Sequence, residues 1–217
     1  QGFGDDVMYS RYLKPLKDLG YDVTYACPPE LKEFFKLSPD LDDIEVTNQI
    51  PNATFHHRTF LLSLPWLTSN FIKGKIKKPI KIDYDRFEEN KLEIPQKFKS
   101  LTRSKKLKIG LAWSGRPTHI RDLNRNIKIE VLKEIFEYDA EFFVLQKFYK
   151  GNDAEYLKQF KNVYNCSDHL KDFLHTTYYL NNMDLIFTVD TSLVHMSGTL
   201  GKETYLLRPM VPDFRLG

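Results

Sequence analysis

Cysteine is scarce. Cys27 and Cys166 are the only two in 217 residues, too few for a disulfide scaffold and too far apart for a metal-ligand spacing. They read as two reduced thiols, with a single pairing as the alternative. Apolar runs of membrane-spanning length are also missing, and no signal-peptide pattern is present. The expectation is a cytoplasmic protein without a membrane span. Charge of one sign is not in excess either. Lys and Arg number 32 against 29 Asp and Glu, a net of +3, too balanced to announce nucleic acid. There is no internal repeat and no low-complexity tract. What is present is apolar: 41% hydrophobic residues and 14% aromatics, which argues against disorder and suffices for one large domain or two small ones.

The opening "QGFGDDVMYSRYLKPLKDLG" places Val7, Met8, Tyr12, Leu13, Leu16 and Leu19 at three- and four-residue intervals, a helix stopped by Gly20. "YDVTYA" follows as a strand, then a helix over about 29–37 opened by Pro28-Pro29, and a strand over 43–47. An α/β domain normally carries a strand before its first helix. None is seen, and the far end stops in a loop just after a strand, so the chain reads as a fragment of a longer protein. Residues 73–108 are Lys-rich with scattered Pro and suit an exposed connection.

From Leu107 the alternation is regular. "LKIGLAW", "EFFVLQ", "NVYN", "DLIFTV" and "ETYLL" read as strands. "IKIEVLKEIFEY", "DAEYLKQF", "LKDFLHTTYYLNN" and "TSLVHMSGTL" read as the helices between them. Continuous apolar strands separated by helices predict a parallel sheet covered on both faces. In such sheets ligands bind at the carboxyl ends of the strands. Asp190, Thr191 and Ser192 stand at such an end and open a helix, whose first-turn N–H groups suit a phosphate or diphosphate. The competing reading is that Asp190 or Thr191 is only a helix cap.

Four stretches, in order, carry a family resemblance. These are "QGFGDDVMYSRYLKPLKDLG", "LLSLPWL", "KIGLAWSGRPTHIRDLNRNI" and "DLIFTVDTSLVHMSGTLGKETYLL", followed by a terminal "PDFRLG" similar to an Asp-Trp-Arg-Trp element. Together they resemble heptosyltransferase-type glycosyltransferases, and more closely the relatives fused to tetratricopeptide repeats, a resemblance that implies a bacterial-type protein. The resemblance implies the GT-B architecture, an α/β fold of two Rossmann-like domains with parallel sheets facing a cleft. An amino-terminal acceptor-side domain would span 1–100, and a nucleotide-sugar domain 107–217. It also implies inverting, metal-independent transfer of a sugar from a nucleotide-diphosphate donor to a glycan or protein acceptor. No cofactor is expected, since the nucleotide-sugar is a substrate. A non-catalytic module of the same fold, binding a sugar nucleotide or a protein partner, is the alternative.

Under that resemblance Asp5 is the catalytic base, with Gly4 allowing close approach and Asp6 capping the helix; the alternative is that Asp5 or Asp6 does nothing but cap. Thr191, Ser192 and the helix amides would stabilise charge on the leaving diphosphate. His195 is a further donor or else a packed helix residue. Asp190 would order the turn or bind a sugar hydroxyl. Heptosyltransferases proper often carry Gly where Ser192 stands, which argues against assuming an ADP-heptose donor. Ser114 and Gly115 line the expected donor cleft, Arg116 or Arg125 would counter the diphosphate, and Gln146 and Lys147 end the next strand facing the same crevice. Three other features are discounted. Asp83-Tyr84-Asp85 spells a metal-binding triplet but lacks strand–loop context, so no metal is expected. His56-His57 would point to opposite faces of a strand. The Lys clusters read as solvated linker in preference to an RNA or anionic-lipid site.

Overall fold

The structure is a computed structural model that describes residues 2–71, 78–88, 92–117 and 125–208. The terminal "PDFRLG" lies outside the described residues. The chain divides into two compact units, Gln1–Glu89 and Asn90–Gly217.

In the first unit, α1 (Phe3–Tyr9) and α2 (Leu13–Asp18) are joined by a 3-10 turn, Ser10–Tyr12. The apolar spacing predicts one helix here. Pro15 interrupts it, because its ring lacks an N–H and crowds the carbonyl of the residue four positions back, Arg11. Gly20 ends the run at φ +91°, a left-handed conformation that suits glycine. β1 (Thr24–Ala26) pairs in parallel with β2 (Glu45–Thr47), Tyr25 opposite Val46, across α3 (Pro29–Phe35). Proline at the first helical position costs α3 nothing, since that N–H would have no helical acceptor. A 3-10 turn, Leu61–Ser63, leads into α4 (Leu64–Leu67). Leu31, Phe34, Phe35, Val7, Leu61 and Leu64 are buried. The segment after Lys78 is pinned to the α3–β2 connection: Asp83 N–H donates to the Leu37 carbonyl, and Arg86 grips Asp42 through both Nη atoms at 2.6 and 2.8 Å.

The second unit is built on a five-stranded, all-parallel sheet. Its strands are β3 (Leu107–Ala112), β4 (Ala140–Val144), β5 (Val163–Asn165), β6 (Leu185–Val189) and β7 (Thr204–Leu207), in the order β5-β4-β3-β6-β7. Ile109 sits between Phe142 on β4 and Leu185 on β6. The connecting helices are α6 (Asp153–Leu157), α7 (Phe173–Asn181) and α8 (Ser192–Thr199), with α5 (Gln96–Thr102) preceding β3. The fold is therefore α/β, with two parallel sheets in a Rossmann-like arrangement. None of the described helices is long and apolar enough to cross a membrane.

Two differences from the expected elements have local causes. "IEVLKEIFE" forms a nine-residue 3-10 helix, Ile129–Glu137, in place of an α-helix. Ile129, Leu132 and Ile135 recur every three residues, and a three-residue turn stacks all three against the Trp113–Phe142 core. The Lys-rich connection is also shorter than its composition suggests, because α5 lies within it. Phe98 on α5 is buried and meets His169 and Tyr179 edge-on, at ring-centroid distances of 5.0 and 5.7 Å. Phe98→Ala should cost about 3–5 kcal/mol, the range for emptying a buried phenylalanine site. Denaturant unfolding of the purified variant checks it, and a midpoint equal to the parent's would mean α5 is not anchored by this ring.

Candidate functional site

The second unit's strand order reverses beside β3. The chain steps outward through β4 and β5, then returns to set β6 and β7 on the other side. The crevice outside the carboxyl ends at such a reversal, here between β3 and β6, is where ligands of parallel sheets bind. β3 delivers Trp113, Ser114 and Gly115 to that edge, and β6 delivers Asp190, Thr191 and Ser192.

Arg125 ties the two strand ends together. Its Nη1 donates to the Asp190 carbonyl at 2.8 Å. The guanidinium lies so close over Gly115 that a Cβ there would stand 2.1 Å from Nη2. Only glycine leaves room for it. Arg125 is held in place by the residues after it: Asn126 Oδ1 accepts the Gly115 N–H at 3.0 Å, and the Ile127 N–H donates to the Trp113 carbonyl at 2.9 Å. Residues 125–127 thus run back along 113–115. Arg116 is exposed.

At the β6 end Thr191 is the N-cap of α8, and its hydroxyl accepts the Leu193 N–H at 3.3 Å. The Val194 N–H donates to the Thr191 carbonyl at 3.3 Å. Two first-turn amides are therefore used within the helix itself. The Thr191 hydroxyl also lies 3.4 Å from that of Thr188. Ser192 and His195, at the first and fourth helical positions, are half-buried, as is Asp190. A positive helix end and a guanidinium thus converge on one strand edge, which is the arrangement an anion needs.

Gln146 and Lys147 behave differently. Gln146 is buried with every polar group engaged. Its Oε1 accepts the N–H groups of Trp113 and Ser114 at 2.9 and 3.1 Å, and its Nε2 donates to Ser114 Oγ and the Phe148 carbonyl. It clasps the β3 loop to β4, and Ser114 is held in that clasp. Lys147 sends Nζ to the Leu170 carbonyl at 3.0 Å, in the loop before α7. That loop follows β5, which lies on the other side of β3 from β6.

In the first unit, Asp5 and not Asp6 closes the start of α1. Asp6 is not the cap: Asp5 Oδ2 accepts the Gly2 N–H at 3.1 Å, closing the first turn of α1. Asp6 is buried, and Tyr25 donates its hydroxyl proton to Asp6 Oδ1 at 2.6 Å. Burial lifts the Asp6 carboxyl above its ordinary range, against the opposing hydrogen bond from Tyr25 and with added repulsion from Asp5. The Cys27 thiol nearby is pushed up to about 11, by burial first and by the Asp6 charge second. Asp83 caps the 3-10 turn Tyr84–Arg86 by accepting the Asp85 N–H, and its other oxygen lies 3.7 Å from Arg86 Nε. His56 and His57 are exposed. Among the described residues no group of three or more His, Cys, Asp or Glu is placed to hold a metal ion.

Sequence reasoning overlooks Asn126 and Asp153. Asp153 Oδ2 accepts from Trp113 Nε1 at 2.7 Å, which fixes the buried indole under the β3 loop. A tryptophan at a buried strand end demands an acceptor, but nothing in the sequence says which acid supplies it.

A carboxyl whose folded pKa is raised favours folding when protonated, and that contribution is lost as pH rises through the raised pKa. Above that raised pKa the fold carries a buried carboxylate at Asp6. Asp6→Asn keeps an acceptor for Tyr25 and removes the charge. Its melting temperature should exceed the parent's at pH 7, and the gap should close as pH falls toward the ordinary carboxylate range, about 4. A gap independent of pH would show that Asp6 charge plays no part.

Comparison of the chain with protein-family models, with curated proteins and with solved structures finds no match.

Proposed function

We propose that the second unit binds a nucleoside-diphosphate sugar at the carboxyl ends of β3 and β6, and that the protein is an inverting, metal-independent glycosyltransferase of the GT-B, heptosyltransferase-like kind. The observation that carries this reading is the Arg125 bridge. A guanidinium held between Gly115 and the Asp190 carbonyl, beside the amino end of α8, offers charge and donors where a Rossmann-like sheet receives a diphosphate. In the reaction, Asp5 takes the proton of the acceptor hydroxyl as its oxygen bonds to the anomeric carbon of the sugar. The bond from that carbon to the diphosphate oxygen breaks, and its electron pair leaves with the nucleoside diphosphate. Arg125, Ser192 and the α8 amino end stabilise the charge that develops there. Thr191 and Gln146 shape this edge by holding backbone. Asp190 presents its carbonyl to Arg125, and His195 stands one turn into the helix.

Calorimetry with ADP, GDP, UDP and CMP tests the site. Binding of one diphosphate is expected. Gly115→Ala, which displaces the Arg125 guanidinium, should weaken it by about 10- to 100-fold, the worth of a charge-assisted hydrogen bond. Asp5→Asn should leave that affinity unchanged and lower turnover by about 10²–10⁴-fold. Absence of diphosphate binding by the folded chain would overturn the reading. Binding with no transfer to any acceptor would favour the non-catalytic module.

A further inference from the structure

We propose that Ile129–Glu137 is a two-state helix, 3-10 while both of its ends are held and α when the leading hold is released, and that this change moves Arg125 onto or off the strand edge. The segment is nine residues of 3-10 helix, where such runs rarely pass three or four because their hydrogen bonds are poorer than those of an α-helix. Its bonds are of the short kind: the Val131 N–H donates to the Lys128 carbonyl at 3.0 Å, and the Tyr138 N–H to the Ile135 carbonyl at 3.3 Å. The sequence, however, is patterned for the other form. At an α-helical pitch Ile129, Val131, Leu132, Ile135 and Phe136 fall within about 160° of one side, with Glu130, Lys133, Glu134 and Glu137 filling the rest. At three residues per turn Val131 shares a row with Glu134 and Glu137, and it is 70% exposed. An α-helix would keep Ile129, Leu132 and Phe136 on the core side and bring Val131 to the margin of that side.

A tie at each end holds the longer form. At the trailing end Asn162 Nδ2 lies 3.0, 3.4 and 3.1 Å from the carbonyls of Phe136, Tyr138 and Ala140, and Ala140 opens β4. At the leading end the Ile127 N–H donates to the Trp113 carbonyl, and Asn126 Oδ1 accepts the Gly115 N–H. A 3-10 helix rises about 2.0 Å per residue and an α-helix about 1.5 Å, so nine residues differ in length by about 4–5 Å. The trailing end belongs to the sheet and stays. Shortening therefore draws the leading end back, breaks both bonds to the β3 loop, and takes the guanidinium from Gly115 and from the Asp190 carbonyl. Three hydrogen bonds at the leading end thus stand against the better-bonded helix and the covering of Val131. An anion that holds Arg125 at the strand edge favours the 3-10 form by the same factor as that form favours the anion. The two-state helix stands without the nucleotide reading; its link to a diphosphate rests on it.

Nuclear magnetic resonance of the whole labelled chain tests this. A 3-10 helix brings the Hα of one residue near the amide proton two positions on, and an α-helix near the one four positions on. The parent should show only the first pattern across residues 129–137. Asn126→Ala deletes one leading bond; it should bring in the second pattern and speed exchange of the Ile127 amide by about tenfold, the worth of a lost hydrogen bond. Adding Val131→Lys to that variant should restore the first pattern, because the charge sits in water in the 3-10 form and at an apolar margin in the α form. Gly115→Ala evicts the guanidinium and leaves Asn126 in place. It is the second release, should give the same conversion, and decides the matter if Asn126→Ala does not fold. Three results would overturn the proposal: the α pattern in the parent, the 3-10 pattern unchanged in both release variants, or an Asn126→Ala pattern indifferent to Val131→Lys. Pyrophosphate added to Asn126→Ala should return the helix to 3-10. Conversion by both release variants without that return would support the helix and overturn the diphosphate site.

Discussion

The second unit depends on how tightly β3 is held between β4 and β6. A Cβ on Gly110, in the middle of β3, would stand 2.7 Å from Leu145 Cδ1 and 2.8 Å from Ile186 Cδ1. The two neighbouring elements therefore press on this strand from both sides, and the apolar residues around it, Leu111, Phe142, Val144 and Ile186, are wholly buried. Close packing of that kind leaves little freedom in where the strand ends. Gln146 then clasps the Trp113–Ser114 turn to β4, and Arg125 clasps the Gly115 turn to β6. The geometry of the candidate site follows from these clasps more than from any residue that would touch a ligand.

This division of labour explains why chemistry and scaffolding are hard to separate at the strand ends. Gln146, Ser114 and Thr191 carry polar groups at the right edge, yet their hydrogen bonds go to the protein's own backbone and to neighbouring side chains. Buried polar groups must be satisfied, and at a turn the nearest unsatisfied groups are main-chain amides. A residue type that suits a ligand suits a turn for the same reason. Arg125 is the exception in kind, because a guanidinium carries five donors in a fixed fork and the Asp190 carbonyl receives one of them through Nη1.

Much of the sheet was legible in the sequence, because strands covered on both faces are written as mostly apolar runs such as "LIFTV" and "AEFFV". One helix start was legible as well, since Thr191 is a strong cap, whereas Asp172, inside the stretch read as helix, proves to be the cap of α7. The 3-10 geometry of Ile129–Glu137 was not, since apolar residues at three-residue spacing fit either helix type until the core behind them is known. α5 was hidden because one aromatic, Phe98, outweighs the Lys residues around it only once His169 and Tyr179 are placed. Which of Asp5 and Asp6 would close the helix start was equally invisible: adjacent acids there look alike, and only the position of Tyr25, on a strand beyond α2, decides which one is buried.

The two tryptophans show the same limit from the other direction. Trp113 ends a strand, is fully buried and gives its N–H to Asp153. Trp66 lies on a helical turn whose inner face is already filled by Leu61 and Leu64. In sequence both sit among leucines, and a count of apolar residues would place both in the core. A helical turn, however, has only one side to give to a core, so the second apolar side must meet something other than the protein beneath it. Leaving such a face in water forgoes about 25 cal/mol for each Å² of apolar surface not buried.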